Sequence, residues 1–325
     1  MKTLLVTGGC GFMGSNFIKR FLKTHPQWQV LNLDKLTYCG NRENARPLEG
    51  SDRYRFVEGD ILDRGGVSTL MPAVQAVVHF AAETHVDRSI EDASDFFLTN
   101  VVGTRILLDA ARRYGIERFI HVSTDEVYGS ISEGSASEDS PLEPSSPYSA
   151  SKAAGDLLVR AYWKTYRTPA IIVRSTNNFG PFQFPEKVIP LFITNLLEGK
   201  KVPLYGTGRN RRDWIYVEDN CAAIELVFEK GEEGAIYNIG GGNEMANMDL
   251  TRALLKAMKR SEDMIQRVED RLGHDFRYAV NTDKIRKLGF KPQWSFHDAL
   301  LATLRWYEEN PSWWRPLKKD KFTVK

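Results

Sequence analysis

The chain has 325 residues, 42% of them hydrophobic, enough for one large or two moderate cores. Its 44 basic and 42 acidic residues leave a formal charge of +2, which supplies no basic stripe for nucleic acid and is neutral on a small anionic ligand. Cys10, Cys39 and Cys221 are too few and too scattered for a disulfide framework or a zinc knuckle, and no apolar run approaches a membrane span or an export signal, so the expectation is a cytoplasmic protein with inert thiols and no metal.

In chain order, strand candidates are TLLVT (3–7), QVLNLD (29–34), YRFVEGD (54–60), AVVHFAA (76–82), RFIHVS (118–123) and AIIVR (170–174). Helical patterns fall between several of them, at 12–24, 93–114 and 147–166. Nearly continuous Val/Ile/Leu runs suit strands covered on both faces, and strand–helix alternation predicts an α/β fold with a Rossmann-type, doubly wound parallel sheet. After residue 176 the rhythm changes: a Gly/Pro/aromatic loop, a helix at 187–199, a short strand VPLYG, a strand running into a helix from Arg211, and a buried strand at 235–241. The predicted division is residues 1–176 for a dinucleotide-binding domain, with a return near 214–240, and 177–325 for a smaller α/β substrate domain. The closing PLKKDKFTVK reads as a solvated tail, and Trp306, Trp313 and Trp314 as packing for the last helix.

Gly8, Gly11 and Gly14 lie between the first strand and the first helix, in a G-x-x-G-x-x-G spacing. Such glycines allow a tight turn, close approach of backbone to a pyrophosphate and close helix–strand packing, with free N–H groups at the helix start. Asp34 ends the second strand 20 residues after Gly14, where an acid accepts hydrogen bonds from ribose hydroxyls and repels a 2′-phosphate. The cofactor expected is therefore NAD, with Lys35 softening that preference and Asp60 placed for the adenine edge. The alternatives are a plain glycine turn and a loop-starting Asp34.

Tyr148 and Lys152 stand four apart on a helix that starts at Pro147. An ammonium beside a phenol, together with the positive nicotinamide ring, stabilises the phenolate, so Tyr148 can take a proton from a substrate hydroxyl as hydride leaves the same carbon. Thr124, 24 residues earlier at the end of a strand, can hydrogen-bond a reacting sugar oxygen. Asp125 and Glu126 follow it directly and are surplus to hydride transfer. Adjacent carboxyls in a partly buried pocket have their pKa values pushed apart, one protonated and one ionised, which equips them as acid and base for eliminating water. Their other reading is a solvated loop or a helix cap. His79 reads as a strand-core residue and His85 as pocket wall.

The blocks VTGGCGFMGSNF, LDKLTYCGN, FAAETHVDRSI, STDEVYG, SPYSASK, NNFGPFQFPEKVIPLFI, RRDWIYVED, YNIGGGNE and RLGHDFRYAV, in this order, resemble the extended short-chain dehydrogenase/reductases. Within them the likeness is to the nucleotide-sugar 4,6-dehydratases, those acting on dTDP-glucose above all. The resemblance implies that Tyr148 deprotonates the C4 hydroxyl of glucose, Glu126 removes the C5 proton and Asp125 protonates the departing C6 hydroxyl, with NAD tightly bound and regenerated. It adds Phe12, Met13, Leu36, Thr37 and Ile61 to the cofactor site, with Ala81, Ala82, Thr99 and Asn178. It places Thr84, Asn177, Lys187, Val188, Pro203 and Tyr205 along the sugar nucleotide, and Arg212 on its diphosphate. Asn247 and the segment holding Arg271, His274 and Tyr278 complete that site. Cys10, Met13, Thr207 and Asn220 depart from the usual family residues. The resemblance also implies a homodimer built by pairing helices 93–114 and 147–166 into a four-helix bundle, and a place in deoxysugar biosynthesis. Nucleotide-sugar 4-epimerases share the glycines, Thr124, Tyr148 and Lys152 but resemble SSATVYG where this chain has STDEVYG. A non-enzymatic dinucleotide binder is the third reading, and it would be expected to have lost Tyr148, Lys152 or the acids.

Overall fold

The computed structural model describes residues 1–270 and 272–319. The first half runs β1 (Lys2–Thr7), α1 (Phe12–Thr24), β2 (Trp28–Asp34), β3 (Tyr54–Glu58), α2 (Arg64–Leu70) and β4 (Ala76–His79). It continues with α3 (Val86–Glu91), α4 (Ser94–Phe97), α5 (Thr104–Tyr114), β5 (Arg118–Thr124), α6 (Pro147–Tyr166) and β6 (Ala170–Ser175). The second half holds β7 (Asn177–Phe179), α7 (Val188–Leu197), β8 (Val202–Tyr205), β9 (Arg211–Tyr216), α8 (Val217–Lys230) and β10 (Ile236–Ile239). It ends with β11 (Glu244–Ala246), α9 (Asn247–Ala257), β12 (Ile265–Val268), α10 (Asp283–Leu288), α11 (Phe296–Glu309) and α12 (Pro311–Lys319).

Seven strands form one sheet in the order β10-β6-β5-β4-β1-β2-β3, every pair parallel. Both faces are covered, as the apolar runs require. Leu4 and Val6 meet Phe17 and Phe21 of α1 together with Ile224 and Val227 of α8 on one face. Leu5, one residue out of phase, packs with Leu107 and Leu108 of α5 on the other. The seventh strand, β10, reaches the edge beside β6 from far along the chain, after α8 has packed on α1. The strand order reverses beside β1, where β2 continues one way and β4 the other, so a crevice opens there at the carboxyl ends.

Two short sheets make up the rest: β11-β9-β7, and the parallel pair β12-β8. Trp306 and Trp313 pack on each other and on Phe182, and Trp314 is buried with its indole N–H on Tyr307 O at 2.8 Å.

The helix predicted over 93–114 is not one regular helix. A π-helical segment, Leu98–Gly103, separates α4 from α5. There Asn100 turns inward, accepting from Glu83 N at 2.9 Å and donating to Glu83 O at 3.0 Å and Ser151 Oγ at 2.8 Å. Wide turns of this kind recur beside functional sites, and periodicity of apolar residues does not reveal them. The tail reading is also corrected: Lys318 belongs to α12 and pairs with Glu198 at 2.9 Å, while residues 320–325 lie outside the described residues.

Candidate active site

The turn from β1 into α1 is set by close approach. Gly8 has φ +72°, and a Cβ on it would stand 2.6 Å from Ala81 N, while a Cβ on Gly14 would stand 2.3 Å from Gly8 O. Gly11 caps α1 without any side-chain bond, so the first-turn N–H groups face the crevice mouth. Asp34, at the end of β2, accepts from Cys10 N and Leu36 N, both at 2.8 Å. Burial pushes its carboxyl up and the two backbone bonds oppose that rise. Lys35 is spent on Asp60 at 2.8 Å.

From this turn a cavity of about 280 Å³ runs to the end of β5. Among its walls are Gly8, Gly11, Phe12, Met13, Gly14, Asp34, Lys35, Thr37, Asp60 and Ile61, then Ala81, Ala82, Thr84 and Thr99. Its inner end is Thr124, Asp125, Glu126, Tyr148, Asn177, Asn178 and Lys187. The nucleotide turn and the acid-bearing turn thus share one cavity.

After Thr124 the chain makes a 3₁₀ turn, Asp125–Tyr128, closed by Gly129 at φ +70°. Thr124 Oγ1 accepts from Glu126 N and donates to Asp125 Oδ1, each at 3.3 Å. Burial, and then the charge of Glu126, lift Asp125 well above the carboxylate range, and Arg212 opposes them. Asp125 Oδ2 is buried with no hydrogen-bond partner. It is a buried carboxyl whose surroundings favour the protonated form, not a solvated loop carboxylate. Glu126 Oε2 lies 3.5 Å from the Tyr278 hydroxyl, which bonds Asp275 Oδ2 at 2.7 Å.

Tyr148 sits in the first turn of α6, which Pro147 and a Ser146–Ser149 capping box start. Its ring is buried against Phe96. Lys152, one turn on, donates to Val122 O at 2.8 Å and stands behind the cavity rather than in its wall. The Tyr148 phenol, expected to be lowered by Lys152, is raised in the protein alone, first by burial and next by Glu126, with Thr124 opposing. Burial also pulls the Lys152 amine down to about 8. At Lys152 desolvation outweighs the Asp156 charge, and at Tyr148 the acidic neighbours add to it.

Among the described residues, Leu36, Val188, Pro203, Tyr205, Arg212, Asn247, His274 and Tyr278 are also outside the walls of that cavity. Leu36 acts through its backbone on Asp34. Arg212 lies over the Tyr278 ring at 4.2 Å and donates to Asp275 O at 2.9 Å, and its charge opposes the rise at Asp125. His274 bonds Asp270 at 2.6 Å and meets the Tyr205 ring at 6.3 Å. Pro203 lies on β8, and Val188 and Asn247 open α7 and α9. Arg271 lies outside the described residues. Two acids close to Arg212 in sequence bond other groups: Asp213 accepts from Gly241 N at 2.9 Å and Asn243 N at 2.5 Å, and Glu218 accepts from Trp294 Nε1 at 3.2 Å.

Sequence reasoning passed over Glu186. This buried carboxyl lines the cavity, accepts from Tyr38 Oη at 2.9 Å and is raised by burial. Its one signal is its place beside Lys187, whose amine donates to Thr84 O at 3.1 Å. Phe80, Glu83, Ser123, Ser175 and Gln183 are further walls with no such signal.

The groups present fit a dinucleotide: a glycine cradle too tight for side chains, an acid ending β2, and the buried, unpartnered oxygens of Asn177, Asn178 and Ser123 in the cavity wall. Comparison with known proteins agrees. Residues 5–303 match the family described as GDP-mannose 4,6 dehydratase. A dTDP-glucose 4,6-dehydratase of Streptomyces niveus is 52% identical over 97% of this chain and 95% of its own. The crystal structure of DesIV, a dTDP-glucose 4,6-dehydratase from Streptomyces venezuelae with NAD and TYD bound, is 53% identical with a TM-score of 0.96, covering 97% of this chain and 100% of that one. A UDP-glucose 4-epimerase of Thermus thermophilus, complexed with NAD, is more distant at 30% identity and a TM-score of 0.87, covering 95% and 99%.

Proposed function

The chain belongs to the GDP-mannose 4,6 dehydratase family, within the extended short-chain dehydrogenase/reductases, and on that premise we propose that it is an NAD-dependent dTDP-glucose 4,6-dehydratase. One observation carries the reading: Asp125 and Glu126 share a cavity with Tyr148 and the glycine turn, and burial favours the protonated form of Asp125 there. An epimerase has no use for that acid.

NAD, held by the glycine turn and Asp34, supplies the group that accepts hydride from C4 and returns it to C6. Tyr148 takes the proton of the C4 hydroxyl, with Thr124 bonded to the same oxygen. Lys152, a cation below its pKa of about 8, stabilises the resulting phenolate. The 4-ketone acidifies C5–H, and Glu126 removes that proton. Asp125 gives its proton to the C6 oxygen, which leaves as water. Two neighbouring carboxyls with separated pKa values thus do opposite work.

Arg212, Tyr278 and Lys187 are assigned to the sugar nucleotide, Arg212 to its diphosphate, since a guanidinium fork suits phosphate oxygens. Residues 1–176 with the return at about 214–240 are assigned to the cofactor half and the remainder to the substrate half. Two chains are proposed to pair through α4–α5 and α6, a reading supported by the exposed apolar side chains of Phe97, Leu98, Leu157 and Tyr166 on those helices. The unpaired Cys10, Cys39 and Cys221 support a cytoplasmic setting.

The test is incubation with dTDP-glucose, UDP-glucose and GDP-mannose in deuterated water, followed by mass spectrometry. The expected product has lost water and gained one deuterium at C5, from dTDP-glucose in preference to the others. Epimerised sugar of unchanged mass overturns the reading.

A further inference from the structure

Arg174, on β6, is fully buried and lies outside the cavity. Its Nε donates to Asp156 Oδ2 at 2.8 Å and its Nη1 to the Tyr128 hydroxyl at 2.7 Å. Asp156 stands four residues beyond Lys152, itself four beyond Tyr148, so all three share one face of α6. Tyr128 is the last residue of the turn that begins at Asp125. Its hydroxyl donates in turn to Asn238 Oδ1 at 2.8 Å, and Asn238 Nδ2 donates to Ala136 O and Asn281 O, each at 3.2 Å. One guanidinium therefore ties the helix carrying Tyr148 to the turn carrying Asp125 and Glu126, and β10 completes the tie.

Stability alone is a weak reason for such an arrangement, because a buried ion pair gains little over apolar residues of the same volume. Geometry is the stronger reason. A sugar bound in one place must present C4 to a residue on α6 and C5 and C6 to residues on the turn, and an error of about 1 Å between them costs on the order of 10²-fold in rate. We propose that Arg174, with Tyr128 and Asp156, is a positioning group that fixes the acid turn against α6 and so couples oxidation to elimination. This rests on the function proposed above.

The test uses the full chain with Tyr128→Phe, which removes a single oxygen. In single turnovers with dTDP-glucose, reduced nicotinamide should form at the wild-type rate and decay about 10-fold to 100-fold more slowly, the KM being unchanged. Amide hydrogen exchange should accelerate in a peptide covering 124–129 and hold steady in one covering 150–160. Arg174→Lys, which keeps a charge for Asp156 but cannot serve both partners, should give the same pattern. If that variant does not fold, Tyr128→Phe carries the test. Equal slowing of both phases overturns the proposal, as do wild-type decay and wild-type exchange. A wild-type protein that loses no water from dTDP-glucose counts against the function, and the exchange comparison then decides the tie by itself.

Discussion

Replacing Asp125 by Asn separates the two halves of the reaction. Burial and Glu126 favour the protonated form of this carboxyl, which the amide matches in charge and nearly in shape. Asn Oδ1 can keep the bond from Thr124 Oγ1 at 3.3 Å, and the new NH₂ fills the place of an oxygen that has no partner. Folding stability should therefore change by less than about 1 kcal/mol, and the melting temperature should hold. The lost function is proton donation to the C6 oxygen. A positioned general acid contributes about 10²–10⁴ in rate, or about 3–6 kcal/mol at ~1.4 kcal/mol per tenfold. Stopped-flow absorbance of the reduced nicotinamide reads both phases: formation should stay near the wild-type rate, and decay should slow by about 10³. Two results refute the reasoning. Formation that slows as much as decay would put Asp125 in the oxidation, and wild-type decay would mean that another group supplies the proton.

Two further predictions follow from the same geometry. Gly14→Ala places a Cβ 2.3 Å from Gly8 O, so α1 must move off the turn, with a loss of about 1–3 kcal/mol in urea unfolding and with weaker retention of NAD. Lys152, at about 8, gives opposite trends with pH. Turnover should fall as pH rises through about 8 and the ammonium is lost. Stability should meanwhile rise between about 8 and 10.5, because over that range the unfolded chain binds the proton that the folded chain has released. Paired pH profiles of kcat and urea midpoint check both trends, and Lys152→Met should flatten them.

The sheet was readable because strands covered on both faces need apolar residues at every position, and Leu4, Leu5 and Val6 supply that pattern. The glycine turn and the Tyr148–Lys152 pair were readable because each is a short local spacing tied to one piece of chemistry. What was not readable depends on contacts between distant residues. The meeting of Tyr278 with Glu126 spans 152 residues, and no local pattern announces it. Glu186 looked like an ordinary acid before a lysine until folding buried it against Tyr38. The rise of the Tyr148 phenol in the protein alone was not readable for a related reason: helix spacing shows which charge is near, whereas burial is settled by everything packed around the ring.

The late arrival of β10 has a kinetic side. Its register, Ile236 opposite Ile172 and Ile239 opposite Ser175, joins strands about sixty residues apart, with the whole of β7 to α8 between them. Until that join forms, β6 is an open edge of the sheet, a surface on which another unfinished chain can pair. Long-range closures of this kind are slow relative to local helices and hairpins. Asn238, the residue that anchors the Tyr128 hydroxyl, travels with the same strand. The edge strand that joins from farthest along the chain is therefore also the one that completes the hydrogen bonding of the turn bearing Asp125 and Glu126, so a refolding chain is expected to recover its helix signal before it recovers its chemistry.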